Sequence, residues 1–543
     1  MFKHLAMVAV CTISLPIARG QQAPAGSETC AKVGSLPLPG AKVVSAATVA
    51  AGTFTSPDPA MQQPAQKAMF GRLPEFCRVQ VLATPSTDSA IPIEVWLPVK
   101  GWNGKFRGVG NGGFAGSIDY SGPAVALMQG YASGATDTGH SGNGGDASWA
   151  LGHPEKVIDF GYRAIHEMTR ISKAVVQAYY GGAARHNYFV SCSDGGREAL
   201  MEAQRFPADY DGIVAGAPAN NWTGLMTNGL RNQQALTGDP AGFIPITKLP
   251  AIDAAVRAAC DAADGVTDGV LADPRQCQFK PATLICKGAD SDACLTGTQA
   301  HTLEVLYGGL HDAAGKLIFP GYVPGGELGD SGWGPWITGP VPGASAMYVF
   351  STGYFINMVY ENKEWSYKDA VIADAYKAAL AKTSQLLDAT DPNLKPFAEH
   401  GGKLILYHGW NDPGISPLNT INYYGDVRAT VGPSSADSFV RLFMIPGMQH
   451  CLAVGPGAND IDQYGMPMAA VPDDAQHDIF LALEAWVEKG SAPESMIAAK
   501  FDEKADPAKL QMTRPICAYP KVAKYKGSGD TNDAANFTCA AAK

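Results

Sequence analysis

Apolar and polar positions alternate over several short stretches in the first part of the chain. Residues 91–98 (IPIEVWLP) alternate as a half-buried strand does, and residues 105–116 (KFRGVGNGGFAG) predict a strand that ends in a glycine-rich loop. Residues 132–137 (ASGATD) predict another short strand. The N-terminal part of the chain therefore contains sheet.

From residue 162 onward the spacing of apolar residues changes from that of strands to that of a helix. Helical spacing dominates residues 162–180, and the strand-like residues 187–191 come next. A tight turn, a helix from about Gly196 to Phe206 and a short apolar strand at residues 211–218 complete the series. Strand, turn, helix and strand in this order predict a parallel α/β sheet.

The amino-acid composition changes at residues 219–398, where cysteines cluster and Gly, Pro and Trp become frequent. We interpret this segment as an inserted lid domain. The sheet pattern returns at residues 403–407 and 441–445, and an amphipathic helix is predicted at residues 475–489. From Pro493 onward the chain is predicted to be irregular. The α/β part is thus expected to consist of two pieces, residues 21–218 and 399–543.

The first twenty residues predict a secretory signal peptide. Lys3 and His4 give a basic start, residues 5–18 are apolar, and the small Ala18 and Gly20 suit cleavage. The apolar run is too short for a membrane span, and no later stretch approaches the ~20 apolar residues that spanning requires. A secreted or periplasmic protein without a membrane partner is expected.

Cysteine usage and charge limit the possible functions. The chain has 11 cysteines, and removal of Cys11 with the signal peptide leaves ten, an even number that favours disulfides over metal or redox chemistry. The net charge is −10, and no Lys/Arg-rich run is present, which argues against a nucleic-acid partner. A neutral or weakly polar substrate fits better. The sequence makes no prediction of oligomeric state.

Residues 188–200 (YFVSCSDGGREAL) contain a candidate nucleophile. An apolar strand runs into Ser193, which has Ser191 two positions before it and Gly195 two positions after it, and a helix follows. A nucleophile elbow needs small residues at these positions because strand and helix approach closely there. Ser191 replaces the usual glycine. The alternative is a serine that caps an ordinary helix.

Partners for this serine follow in the order Ser, Asp, His. Asp412 lies just beyond the apolar KLILY, and His450 lies just beyond RLFMI. A serine needs such a base and an acid that orients it, so these three residues predict a catalytic triad. His408 is the rival base, but its place at a strand end indicates a packed structural histidine. Three further histidines precede the serine and are interpreted as loop or helix-surface residues: His140, His153 and His166.

Two cysteines flank the candidate triad. Cys192 directly precedes Ser193, and Cys451 directly follows His450. A bridge between them would hold the base at the nucleophile across about 260 residues, and the chain-entropy model gives it a stabilisation of order 5 kcal/mol. The alternative is two unrelated buried cysteines, because connectivity cannot be read from spacing.

An esterase must also stabilise the negative charge that develops on the carbonyl oxygen. The natural backbone donors are Asp194, directly after the serine, and one residue of the glycine-rich loop, for which we select Gly113. The alternative is that this loop is only a tight connection.

Residues 260–270 (CDAADGVTDGV) form a candidate calcium site. Several oxygen donors close in sequence suit Ca²⁺, which takes six to eight oxygen ligands. The segment is not an EF-hand, because its acid spacing differs and the closing glutamate is missing. The alternative is a solvated acidic loop. The candidate ligands are the side chains of Asp261, Asp264 and Asp268 and the carbonyls of Val266 and Val270.

Over nearly the whole mature length, the chain resembles the tannase and feruloyl esterase family. The segments that carry the resemblance are WNGKFRGVGNGGFAG, GATDTGHSG, FVSCSDGGREAL, RFPADYDGIVAGAPA, LYHGWNDPGISP, PGMQHC and YKGSGDTNDAANF. The resemblance implies an α/β-hydrolase catalytic domain with a lid and a triad of Ser193, Asp412 and His450. It also implies the lid calcium at the loop described above. The disulfide pairs that it implies are Cys192–Cys451, Cys30–Cys77, Cys260–Cys277, Cys286–Cys294 and Cys517–Cys539.

These observations predict a serine carboxylic ester hydrolase that acts on aromatic esters through an acyl-enzyme. Feruloyl and related hydroxycinnamoyl esters, carried on plant cell-wall sugars or small alcohols, are the expected substrates, and galloyl esters are the second choice. Hydrolysis of mono(hydroxyethyl) terephthalate, known in the same family, relies there on a lid arginine that we cannot place in residues 348–367. Aromatic residues of that segment could line an aryl pocket, although such stripes more often belong to the core.

Two hypotheses that assign the chain to other functional classes stay open. One is a calcium-dependent sugar-binding protein on a degenerate hydrolase fold, and the intact Ser193, Asp412 and His450 argue against it. The other is a peptidase on the same fold.

Overall fold

The computed structural model describes residues 26–451, 455–461, 471–502 and 508–542. The predicted signal peptide lies outside these residues. The strands are β1 (Ala41–Val49), β2 (Phe76–Ala83), β3 (Ile91–Pro98), β4 (Lys105–Val109), β5 (Ala132–Thr136), β6 (His186–Cys192), β7 (Gly212–Gly216), β8 (Leu310–His311), β9 (Leu317–Phe319), β10 (Lys403–Gly409), β11 (Val440–Ile445), β12 (Ser495–Asp502), β13 (Lys509–Cys517), β14 (Lys521–Tyr525) and β15 (Phe537–Ala541).

The same parts of the chain contain fifteen α-helices. They are α1 (Gly26–Val33), α2 (Pro64–Phe70), α3 (Ser121–Met128), α4 (Pro154–Ile158), α5 (Ala164–Tyr180), α6 (Asp194–Arg205), α7 (Trp222–Thr237), α8 (Leu249–Cys260), α9 (Gly297–Gly308), α10 (Ala346–Tyr354), α11 (Ile372–Leu387), α12 (Lys395–Glu399), α13 (Pro417–Val431), α14 (Pro433–Phe439) and α15 (Ile479–Lys489).

A nine-stranded mixed sheet forms the centre of the molecule. Its strand order is β1-β2-β3-β5-β4-β6-β7-β10-β11. The strands from β5 to β11 pair in parallel, as the sequence predicts. The pairs β1/β2, β2/β3 and β3/β5 are antiparallel, and sequence analysis missed β1 and β2. The carboxyl ends of β6, β10 and β11 therefore lie along one edge of the sheet.

Helices cover both faces of this sheet. On one face the apolar residues of α5, α6 and α13, such as Met168, Leu200 and Val427, pack in a single core with the strands. On the other face α15 contributes Phe480 and Leu483 to a second core. Both faces of the parallel strands are buried, which explains why these strands are continuous apolar runs in the sequence.

The predicted lid segment, residues 219–398, has a core of its own. Leu236, Ile252, Leu303 and Trp333 belong to a cluster built within residues 236–337. A further cluster joins α7, α10 and α11 to residues of the sheet part, among them Phe114. The exact limits of the lid stay a prediction.

The C-terminal tail is not irregular as predicted. β12 pairs with β13, and β14 pairs with β15, both antiparallel. Their residues are mostly half-buried or exposed, so the apolar pattern that marks the central strands is weak here. Within the described part of the chain, no helix is long and apolar enough to cross a bilayer.

Candidate active site

Ser193 lies at the sharp turn between β6 and α6. Its backbone has φ 67° and ψ −123°, a conformation that an L-residue rarely adopts. Strain of this kind persists only where the surroundings enforce it, and it is typical of a nucleophile elbow. The turn places the serine at the carboxyl edge of the sheet.

Ser191 stands where a nucleophile elbow usually has glycine, and the glycines around it leave room for its side chain. A Cβ on Gly195 would lie 1.8 Å from Ser191 Oγ, and one on Gly110 would lie 2.8 Å from the same atom. The Ser191 side chain therefore occupies space that the missing side chains of Gly195 and Gly110 leave.

This packing predicts a strong effect of a single methyl group at position 195. Gly195→Ala is expected to lower kcat and to reduce the free energy of unfolding by about 1–3 kcal/mol, because the new Cβ overlaps Ser191 and the Asn111 carbonyl. Ester hydrolysis and urea unfolding would measure both effects. Ser191→Gly alone should stay active, and added to Gly195→Ala it should recover part of the loss. A fully active and stable Gly195→Ala would contradict this account.

The three predicted catalytic residues are joined by hydrogen bonds. His450 Nε2 lies 2.9 Å from Ser193 Oγ, and His450 Nδ1 lies 2.7 Å from Asp412 Oδ2. Asp412 is buried, and its other oxygen accepts the N–H groups of Gly414 and Ile415 at 2.7 and 2.9 Å. The arrangement can pass a proton from the serine to the imidazole while the carboxylate holds the ring.

His408 lies on the far side of Asp412. The ring is buried, and Nε2 lies 3.1 Å from Asp412 Oδ2, while Nδ1 lies 2.7 Å from Thr420 Oγ1. Burial alone would raise the pKa of Asp412, but the charges and hydrogen bonds of His450 and His408 outweigh it and hold that pKa below its ordinary value. Asp412 is thereby kept ionised, and His408 orients it rather than competing with His450.

All ten cysteines of the described residues are paired. Cys192 is bonded to Cys451 across 259 residues, which ties the nucleophile's strand to the base. The other bonds are Cys30–Cys77, Cys260–Cys277, Cys286–Cys294 and Cys517–Cys539. These are the pairs that the family resemblance implies. Five disulfides are consistent with an oxidising, extracellular location.

The glycine-rich loop, residues 110–116, lies beside the serine. Gly113 and Asp194 line the same cavity as Ser193. The Asp194 N–H is the first of α6, so it has no partner within the helix. Phe114 N donates to Gly144 O at 2.8 Å and Ala115 N to Gly112 O at 3.0 Å, which fixes the loop. The two residues predicted as oxyanion donors thus lie at the same cavity as Ser193.

An open cavity of about 510 Å³ surrounds the serine. The inserted segment supplies one wall, mainly with apolar side chains. The Trp336 ring meets the His450 ring edge to face at 4.8 Å, and Phe350 stacks beside Trp336. The remaining apolar lining from this part of the chain consists of Ala219, Trp222, Leu225, Met226 and Met347.

Most aromatics of residues 348–367 do not reach this cavity. Phe350 lines it, whereas Tyr354 and Phe355 are fully buried in the cluster that joins α7, α10 and α11 to the sheet part, and Trp365 packs against that cluster. Trp336, which lies outside that segment, packs against the ring of His450. Trp336 follows a Gly-rich stretch, and nothing in the sequence around it predicts a contact with the catalytic histidine.

The other histidines lie away from the triad. His153 is exposed and His166 is half-buried on α5, in agreement with their interpretation. His140 lies in the loop that follows β5, as interpreted, but its side chain is buried, with its ring stacked on Trp149 at 3.7 Å. Burial lowers the pKa of His140 to about 4, so it packs as a neutral ring.

The acidic loop is closed by the Cys260–Cys277 bond. Asp261 accepts the Gly269 N–H at 3.0 Å, and Asp264 accepts the Val266 N–H at 2.9 Å. Asp268 accepts the Val270 N–H and pairs with Arg514 at 2.9 Å. Burial raises the pKa of Asp264, and the neighbouring charges of Asp268 and Asp261 add to this effect.

Carboxylate and carbonyl oxygens are the ligand types that Ca²⁺ takes, and the loop contains both. Within the described residues, two groups of three possible ligands have donor atoms within 4.8 Å, and the three aspartates are not one of them. One such group contains Cys286 and Cys294, which are bonded to each other. The other consists of His166, Glu202 and Asp209.

Comparison with known proteins places these features in a family. The model of the family described as tannase and feruloyl esterase matches residues 77–540. An uncharacterised esterase of Xanthomonas campestris pv. campestris is 41% identical over 538 residues, covering 94% of this chain and 91% of that protein. A probable feruloyl esterase B-1 of Aspergillus fumigatus is 35% identical over 471 residues, covering 86% of each chain.

A solved structure has the same fold. Feruloyl esterase B from Aspergillus oryzae superposes with a TM-score of 0.85 at 31% identity, covering 95% of this chain and all of that one. The predicted α/β-hydrolase fold with an insertion is thereby confirmed.

Proposed function

We propose that this chain, which belongs to the tannase and feruloyl esterase family and is a carboxylic ester hydrolase, cleaves feruloyl and related hydroxycinnamoyl esters at Ser193. The observation that carries the proposal is the hydrogen-bonded series Ser193, His450 and Asp412 at an open, aromatic-lined cavity.

The geometry supports a two-step reaction. Ser193 Oγ attacks the ester carbonyl carbon while His450 Nε2 takes the hydroxyl proton, and the N–H groups of Asp194 and Gly113 receive the oxyanion. Collapse of the tetrahedral intermediate breaks the bond to the alcohol, which leaves with the proton from His450. Water then attacks the acyl-enzyme with the same proton transfers and releases the acid.

The wall of the cavity favours the hydroxycinnamoyl over the galloyl group. Trp336, Met226 and Phe350 offer apolar surface to a ring and its vinyl linker. A galloyl group carries three adjacent hydroxyls, which would have to reach polar lining residues such as Asp119, Ser121 or Ser331, because a hydroxyl buried without a partner costs about 1–3 kcal/mol. The feruloyl esterases among the relatives support the same choice. Galloyl ester hydrolysis is the second candidate.

Three substrates test the preference. We expect kcat/KM to be highest for methyl ferulate, lower for methyl gallate and lowest for mono(hydroxyethyl) terephthalate. A higher value for methyl gallate would replace the first proposal with the second. Peptide amides should stay uncleaved. Absence of ester hydrolysis together with calcium-dependent binding of a sugar would favour the non-catalytic alternative.

We further propose that the acidic loop holds a structural Ca²⁺ through Asp261, Asp264 and Asp268 and the carbonyls of Val266 and Val270. The three carboxylates within eight residues of sequence support this proposal. The loop belongs to the lid segment and not to the triad, so the ion would stabilise the lid rather than take part in the reaction.

Calcium removal tests this site. Ca²⁺ at a hundred times its Kd is expected to stabilise the wild type by about 3 kcal/mol relative to the EDTA-treated protein, because the ion binds the folded state alone. Thermal unfolding with and without Ca²⁺ measures the difference. Asp264→Asn should lose most of the response, whereas Asp312→Asn, an exposed acid outside the loop, should keep it. Equal unfolding temperatures of the wild type in Ca²⁺ and EDTA would contradict the proposal.

A further inference from the structure

Glu198 connects the nucleophile's helix to the glycine-rich loop. It lies on α6, five residues after Ser193, and its side chain is 1% exposed. Its Oε2 accepts the N–H of Asn111 at 2.8 Å. The same oxygen lies against Gly110, where a Cβ would approach it to 2.3 Å. Burying a carboxyl group costs hydration free energy, which its contacts must offset. This cost indicates that the hydrogen bond from Asn111 to Glu198 has a role.

Asn111 is held to α6 at two points. Its N–H goes to Glu198, and its carbonyl accepts the N–H of Gly195 at 2.8 Å. Its side-chain amide donates to the carbonyls of Thr136 at 2.9 Å and Ser117 at 3.2 Å. The peptides of Gly112 and Gly113 follow directly. Any shift of Asn111 would therefore move a candidate oxyanion donor relative to Ser193.

The charge state of Glu198 suits this position. Burial, and next the charge of Asp194, raise the pKa of Glu198 above its ordinary value. A neutral carboxyl group still accepts the Asn111 N–H through its carbonyl oxygen. It does so without adding a negative charge behind the place where the oxyanion develops.

We propose that Glu198 is a positioning residue, which sets the glycine-rich loop at the distance from Ser193 that oxyanion stabilisation requires. This inference rests on the proposed function. Glu198 touches no reacting atom, and its effect passes through Asn111. Sub-ångström placement of such donors matters because their stabilisation acts on the transition state and depends steeply on distance.

The chain offers a conservative variant and a matched control. Glu198→Gln keeps an oxygen acceptor, whereas Glu198→Met keeps the length and removes it. Glu202 lies one turn further along α6, is equally buried, and has a raised pKa from the same first cause, burial. In the described structure it makes no hydrogen bond to the glycine-rich loop, so Glu202→Met disturbs the same helix without touching Asn111.

We expect Glu198→Met to lower kcat on methyl ferulate by about 10- to 100-fold with KM changed by less than about threefold. Its inhibition constant for an aryl trifluoromethyl ketone, which forms a tetrahedral adduct with the serine, should rise by a factor similar to the loss in kcat. Glu198→Gln should stay within about threefold of wild type in both measurements, and Glu202→Met should do the same even if its unfolding temperature falls.

Three results would overturn the inference: wild-type kcat in a folded Glu198→Met, equal losses in Glu198→Gln and Glu198→Met, or an equal kcat loss in Glu202→Met. If Glu198→Met does not fold, Glu198→Asp replaces it, because its shorter side chain retracts the acceptor from Asn111. A folded Glu198→Asp with wild-type kcat would also overturn the inference.

Failure of the proposed function gives a different pattern. In that case the wild type itself would not hydrolyse methyl ferulate, or Ser193→Ala would hydrolyse it equally well. If the wild type is active, Ser193→Ala is inactive and Glu198→Met matches the wild type, the proposed function stands and only the positioning role of Glu198 is wrong.

Discussion

Ser193→Ala is expected to lower kcat for ester hydrolysis by roughly 10⁴- to 10⁶-fold, since the remaining groups cannot form the acyl-enzyme. The residual rate would come from binding and the oxyanion donors alone. Steady-state kinetics on methyl ferulate measures the loss.

The substitution should not destabilise the fold. Ser193 has a strained backbone and its hydroxyl contacts His450, so alanine removes the nucleophile and little packing. Circular dichroism and thermal unfolding provide the control, together with Ser191→Ala, which changes a hydroxyl two residues away and should keep most activity. Substantial hydrolysis by folded Ser193→Ala would remove the serine from the mechanism.

The second large effect concerns the Cys192–Cys451 bond. Replacing both cysteines with alanine is expected to lower the free energy of unfolding by about 5 kcal/mol, because the bond closes a very long loop in the unfolded chain. Activity should fall as well, since His450 would lose its covalent link to the strand of the nucleophile. Urea unfolding and kcat on methyl ferulate measure the two effects.

Cys286–Cys294 provides the matched comparison. This bond closes a separation of 8 residues and lies outside the cavity around the serine. Its removal should cost less unfolding free energy and leave kcat unchanged. Similar stability losses for the two pairs would contradict the loop-length argument, and unchanged kcat without Cys192–Cys451 would show that the bond does not position the base.

Much of the central sheet could be predicted because its strands are buried on both faces. The apolar runs before Ser193, Asp412 and His450 mark β6, β10 and β11, and the chain order of the three residues follows from the fold. β1 and the C-terminal strands were missed because they are only partly covered, so their pattern of apolar residues is weak. β2 was missed although most of its residues are buried.

Residues whose role depends on contacts between distant segments could not be found in this way. Trp336 approaches His450 from the inserted segment, and Glu198 reaches Asn111 across 87 residues. No local spacing predicts either contact. The burial of His140 beneath Trp149 likewise follows from tertiary packing and not from its loop sequence.

Covalent trapping of the nucleophile tests the central claim most directly. The protein would be treated with an aryl phosphonate ester, which reacts with activated serines, and the modified residue would be mapped by peptide mass spectrometry. The account predicts one adduct per chain, on Ser193, with loss of methyl ferulate hydrolysis in proportion to labelling and no adduct in Ser193→Ala or in unfolded protein. Inactivation with the label on another residue, or full activity of the protein labelled at Ser193, would contradict it.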